Sequence, residues 1–189
     1  MKREKTTVII DKVPAQEALP LWMLVKRDDR GNFTYTFRKL YGETIEVMEQ
    51  AAELQKKDMK QEPSPIERWK RPKEEGGGTY IGYVDYEDCY VDYVLTRIPK
   101  DKRPGKNGTA VWFVYKYLGG INVYGTDILS GTPGEISEKL IEAHKADCEF
   151  FTDRPLPAPG TVMPDEGGTV LVLETSVHTG AADYIAVRL

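Results

Sequence analysis

His144 and Cys148 stand one helical turn apart, the spacing at which two side chains can share a metal ion or hand on a proton. A nucleophilic cysteine needs positive surroundings to hold its thiolate, and the C-terminal end of a helix offers the negative pole of the dipole instead. With Asp147 the set would hold donors of a kind that zinc accepts. The plainer expectation is a partly buried helix face, so no catalytic residue, metal or cofactor is assigned here. His178, in a turn-like Thr-Gly context, is expected at the surface.

Asp85, Glu87, Asp88 and Asp92 crowd a second segment. Carboxylates at that density could hold a hard cation, but no calcium-binding loop motif is present and solvated turn charges are the expectation. Tyr80, Tyr83, Tyr86, Tyr90 and Tyr93 lie in the same stretch. Tyrosine offers large contact area with a polar tip, which suits interfaces, although it is also a good strand former that packs on its neighbours. These tyrosines, with Asp85, Glu87 and Asp88 to select a basic partner, form the expected partner-binding surface. Arg97, Lys100, Lys102, Arg103 and Lys106 lie just beyond among Pro and Gly. Their spacing would fit phosphate contacts on a nucleic acid, and equally a solvated linker. Gly76, Gly77 and Gly78 lack the lysine and helix start of a phosphate-binding loop and read as a turn.

The elements that must position these residues are written twice. Trp22 to Lys26 opens a strand, a Gly-Asn turn at 31–32 follows, Phe33 to Leu40 runs back and Glu43 starts a helix. Trp112 to Lys116, Gly119-Gly120 and the helix start at Gly134 to Glu138 repeat the order. Pro63, Pro65 and Pro72 are echoed by Pro155, Pro157 and Pro164, and EEGGGTY (74–80) by DEGGTV (165–170). DYVLTRI (92–98) and DYIAVRL (183–189) close the two copies. Matches over a whole period point to an internal duplication. The expected domains are an N-terminal extension (1–20), a first repeat (21–98), a basic linker (99–109) and a second repeat (110–189).

Phe33, Tyr35 and Phe37 alternate with polar residues, as a strand with one buried face would. From Glu43 the period changes, and Ile45, Met48, Ala52 and Met59, with Ala51 beside them, supply a helical stripe that must end before Pro63. The second helix is better marked: Thr132 caps, Pro133 takes the first position, Glu135 completes the box, and Ile136, Leu140, Ile141 and Ala143 form its stripe. Tyr80 to Tyr86 with Cys89 to Ile98, and Val170 to Leu173 with Tyr184 to Leu189, give two strands more in each copy. Thr6 to Ile10 reads as a short strand laid against the first copy. The fold class is therefore α+β: two tandem ββαββ repeats, each a mixed four-stranded sheet with one helix. A right-handed crossover would set the first and last strands parallel at the centre. Trp22 and Trp112 should be largely buried.

At Met23 to Lys26, the hairpin turn, Thr44 to Glu46 at the helix start and the final strand ending in Arg97-Ile98, the first copy resembles ubiquitin-like (β-grasp) domains. The resemblance covers most of 21–98 and implies a β-grasp fold and a module that presents sheet surface to a protein partner.

Composition bounds the rest. The 189 residues are 40% hydrophobic and 30% charged, with a net charge of -4, ordinary for a soluble globular protein, and without a signal-peptide pattern the expected location is the cytoplasm. The short apolar run from Thr7 to Ile10 is expected to be neither signal peptide nor membrane span. Basic against acidic residues number 17 to 18 over 1–98, 4 to 1 over 99–109 and 5 to 11 over 110–189. No domain is strongly basic, which lowers nucleic-acid binding to an alternative carried by the linker. The two cysteines, Cys89 and Cys148, hold unlike places in the copies and read as free thiols. The expected function is a non-enzymatic protein–protein interaction module, an adaptor or an inhibitor encoded by a mobile element.

Overall fold

The computed structural model describes residues 6–29, 33–59, 79–86, 89–105, 108–118, 123–151, 162–164, 170–177 and 180–189; of 59, 79–86, 89–90, 123, 148–151, 162–164, 171, 173–177 and 180–181 it describes the backbone alone. The chain is α+β, with two sheets and two helices. It divides into two compact units, Met1–Asp101 and Lys102–Leu189.

The first unit runs β1 (Thr6–Asp11), β2 (Leu21–Asp28), β3 (Phe33–Tyr41), α1 (Thr44–Met59), β4 (Thr79–Tyr86) and β5 (Cys89–Arg97). Its five-stranded sheet has the order β1-β3-β2-β5-β4. The second unit runs β6 (Val111–Leu118), β7 (Val123–Ser130), α2 (Pro133–Phe151), β8 (Val162–Pro164), β9 (Val170–Val177) and β10 (Gly180–Arg188), in the order β7-β6-β10-β9-β8. Four strands of each sheet are those read from the sequence. The fifth is β1 in the first unit, the short strand expected at Thr6 to Ile10, and β8 in the second, which was not read from the sequence.

The pairing corrects one expectation. β2 with β5, and β6 with β10, are antiparallel, so the central pair is not parallel in either unit. In the first unit Leu21 pairs with Tyr41 and Trp22 with Arg97, while Thr79 pairs with Leu95. β3 therefore ends, and β4 begins, at the same end of the sheet. The connection that contains α1 is a return and not a crossover, and the handedness rule for parallel crossovers does not apply to it. The first sheet is mixed through β1, which lies parallel to β3.

Each helix is fastened at its start by a tryptophan. Trp22 and Trp112 are buried, and each indole N–H donates to a glycine carbonyl, Gly42 O and Gly131 O, at 3.0 Å. Both glycines have positive φ, 146° and 150°, a backbone that side-chain-bearing residues rarely adopt. The capping box closes as expected: Glu135 N–H donates to Thr132 Oγ1 at 3.3 Å and Thr132 N–H to Glu135 Oε2 at 2.8 Å. In α1 a glutamate makes the second half of the box, with Glu43 N–H donating to Glu46 Oε2 at 3.1 Å.

The core of the first unit joins Trp22, Leu24, Tyr93 and Leu95 to Val47, Ala51 and Ala52 of α1. Ile45, read as part of that stripe, is 72% exposed. Val47 and Ala51 fix the helix phase, and two residues from Val47 is about 200° round the helix. In the second unit Trp112, Val114, Tyr184 and Ala186 meet Ile136 and Leu140, the stripe as read. β2 and β6 are closed on both faces, Met23 and Val25 as well as Trp22 and Leu24, which is why they read as continuous apolar runs. Among the described residues no helix is long and apolar enough to cross a membrane.

Candidate functional site

A polar cluster absent from the sequence reading stands in each unit between helix and sheet. Lys26 and Tyr93 are cross-strand partners on β2 and β5. Asp58, in the last turn of α1, accepts from Lys26 Nζ at 2.7 Å on one oxygen and from the Tyr93 hydroxyl on the other. Lys116 and Tyr184 are likewise partners, on β6 and β10. Asp147 of α2 accepts from Lys116 Nζ at 2.8 and 2.9 Å and from the Tyr184 hydroxyl at 2.8 Å. A carboxylate that receives an ammonium and a phenol is held in one orientation. Because the three groups satisfy one another in both units, the arrangement acts first as a clamp between helix and sheet.

Beside each clamp lies a cleft. In the first unit it measures about 200 Å³ and is lined by Lys26, Thr36, Arg38, Leu54 and Asp11, the last from β1. In the second it measures about 540 Å³ and is lined by Lys116, Gly125, Asp127, Lys139, Glu142 and Ala143.

His144 is buried one turn before Asp147, with its ring edge-on to Tyr184 at 5.5 Å. Burial lowers its pKa from the ordinary 6.5, against the opposing pull of Asp147. This is the partly buried helix face expected for His144. The side chain of Cys148 and the whole of His178 lie outside the described residues. Among the described residues no three His, Cys, Asp or Glu side chains converge on a metal position.

Tyr80, Tyr83, Asp85 and Tyr86 belong to β4, and Tyr90 and Tyr93 to β5. The backbone register sets Tyr83 opposite Asp92 and Asp85 opposite Tyr90, with an irregularity between Tyr80 and Gly82. The side chains of Tyr80, Tyr83, Asp85, Tyr86 and Tyr90, and residues Glu87 and Asp88, lie outside what is described. Tyr93 is buried under α1, so it is a core and clamp residue and leaves the contact surface. Asp92 pairs with the buried guanidinium of Arg27.

Of the linker cations, Lys100 and Lys102 are exposed on a short 3-10 turn, Lys100–Lys102. Arg97 lies over the Trp22 ring at 5.7 Å. Arg103 is half-buried, and Lys106 lies outside the described residues. A comparison with protein-family models, curated proteins and solved structures finds no match to this chain.

Proposed function

We propose that the chain is a non-enzymatic protein-binding module built from two tandem ββαββ repeats. Support for the repeat comes from the paired details: the same strand order around each helix, Trp22 and Trp112 on Gly42 and Gly131, and the Lys–Asp–Tyr clamps. Such clamps commit the best-placed ionisable groups of each unit to internal bonds.

The observation that carries the binding reading is the place of β4. This tyrosine-rich strand is an edge of its sheet among the described residues, whereas its counterpart β9, with Val170, Leu171 and Val172, is covered by β8. An edge presents unpaired backbone groups, and aromatic residues around it add contact area to whatever pairs there. Asp85, Glu87 and Asp88 in the same hairpin favour a basic partner.

The test is capture of a partner by the intact chain, followed by the same measurement on Tyr83→Ser/Tyr90→Ser. Binding should weaken by more than about 2 kcal/mol with the thermal midpoint unchanged. Equal binding by the variant would remove the tyrosine hairpin from the site. A second reading, nucleic-acid association, draws on the exposed Lys100 and Lys102. It requires salt-sensitive binding to RNA or DNA that is lost when Lys100, Lys102 and Arg103 are neutralised.

A further inference from the structure

The two sheets are extended at opposite edges. β1 covers β3 in the first unit, and β8 covers β9 in the second. β7, which stands where β3 stands, is left at an edge among the described residues. The match is residue by residue. Thr36, Arg38 and Leu40 pair with Lys26, Leu24 and Trp22. Gly125, Asp127 and Leu129 pair with Lys116, Val114 and Trp112.

Along this edge the two units differ in one consistent way. Gly125 replaces Thr36, and on the helix Ala143 and Ala146 stand where α1 has Leu54 and Lys57. The two shortened side chains on the helix accompany a cleft of about 540 Å³ where the first unit has about 200 Å³. At Gly125 the Lys116 stem occupies the space of a side chain, since a Cβ there would stand 2.9 Å from Lys116 Cε. The charge also changes sign. Arg38 meets Asp11 of β1 at 3.6 Å, whereas its counterpart is the exposed Asp127. The Ile128 N–H, instead of joining a neighbouring strand, donates to Asp127 Oδ1 at 2.7 Å. Thr126 Oγ1 on the same strand is buried without a hydrogen-bond partner among the described residues.

We propose that β7 is the docking edge for an extended segment of a partner protein, which adds parallel to β7 as β1 adds to β3, sets a large apolar side chain opposite Gly125 in the widened cleft, and sets a lysine or arginine two residues later opposite Asp127. The spacing follows from β1, where Ile9 pairs with Thr36 and Asp11 with Arg38. Positions two apart share a face of a strand, so both side chains turn toward the cleft. Backbone pairing supplies the affinity of such an added strand, and the cleft and the charge supply its selectivity. The inference rests on the reading of the chain as a protein-binding module, but not on its tyrosine hairpin.

The test uses the intact chain and two fluorescein-labelled peptides of residues 2–13, one of the native sequence and one carrying Asp11→Lys. Fluorescence anisotropy should show the lysine peptide binding about fivefold more tightly, the scale of a difference between exposed charge pairs. In the Asp127→Lys chain the order should reverse. Amide shifts on binding should fall on Tyr124 to Ile128. The Tyr83→Ser/Tyr90→Ser variant should bind the peptides unchanged, so failure of the hairpin and failure of this edge are read separately. The proposal is overturned if neither peptide binds at millimolar concentration, the result expected if Asp127 only guards the edge against pairing. It is equally overturned by a preference that ignores Asp127→Lys, by shifts confined to β3, or by sedimentation of a dimer that Asp127→Lys dissociates, which would give the edge to a second copy.

Discussion

Gln55 of α1 and His144 of α2 hold the same place: each is buried one turn before the aspartate of its clamp. One is neutral at every pH and the other is not. Burial holds the His144 imidazole below 6.5, with Asp147 pulling less strongly the other way. The unfolded chain therefore takes up this proton at higher pH than the folded one. The stability linked to neutral His144 is fully present above about 6.5 and is lost as pH falls through the lowered folded value. His144→Gln, which installs the residue of α1, should flatten the fall in thermal midpoint between about pH 7.5 and pH 5. An unchanged slope would assign the acid sensitivity to other groups.

The clamps predict matched losses. Asp58→Asn and Asp147→Asn keep the shape of the carboxylate but leave a half-buried lysine without its counter-charge. Each should cost about 1–2 kcal/mol in denaturant unfolding, since the lysines retain partial contact with water. Near-zero cost in both would reduce the clamps to surface ion pairs.

Trp22→Ala and Trp112→Ala should each cost about 3–5 kcal/mol, because each removes a buried ring together with the bond to the glycine carbonyl at the helix start. Calorimetry on both variants checks this. A small effect would mean that the helices are fixed by their other contacts.

Asp92→Ala should be about as costly, roughly 3–5 kcal/mol, because it leaves the Arg27 guanidinium buried without that carboxylate. The pair Arg27→Met/Asp92→Leu should recover most of the loss, since apolar residues of similar volume replace a buried ion pair at little cost. A double variant no better than Asp92→Ala would show that the pair does more than neutralise itself.

The apolar runs around Trp22 and Trp112, the capping box from Thr132 to Glu135 and the stripe of α2 were legible because each is a local pattern. Strand direction was not. Whether the chain returns or crosses over between β3 and β4 is decided by long-range pairing, which leaves no mark in the residues of either strand. Ile45 misled because it stands at helical spacing with Met48 and Ala52, whereas the buried face of the helix is centred on Val47 and Ala51. The clamp had left a signal: Lys26 ends one apolar run and Lys116 interrupts the other at the corresponding place, and an inward lysine in a buried strand calls for a carboxylate. The shared Asp-Tyr of DYVLT and DYIAV likewise placed Tyr93 with Tyr184, in the core and not on a contact face.

β1 spans 6 residues, of which only Thr6 is buried while Ile9 is 44% exposed. So little contact would hold a free peptide poorly. Its occupancy of β3 depends on the tether formed by residues 12–20, which keeps it near its site at an effective concentration on the order of millimolar. A competitor for the β3 edge must overcome that standing local supply, whereas a ligand arriving at β7 competes with no strand among the described residues. Two like edges in one molecule thus carry different thresholds, one set by displacement of a tethered strand and the other by the ligand's own affinity.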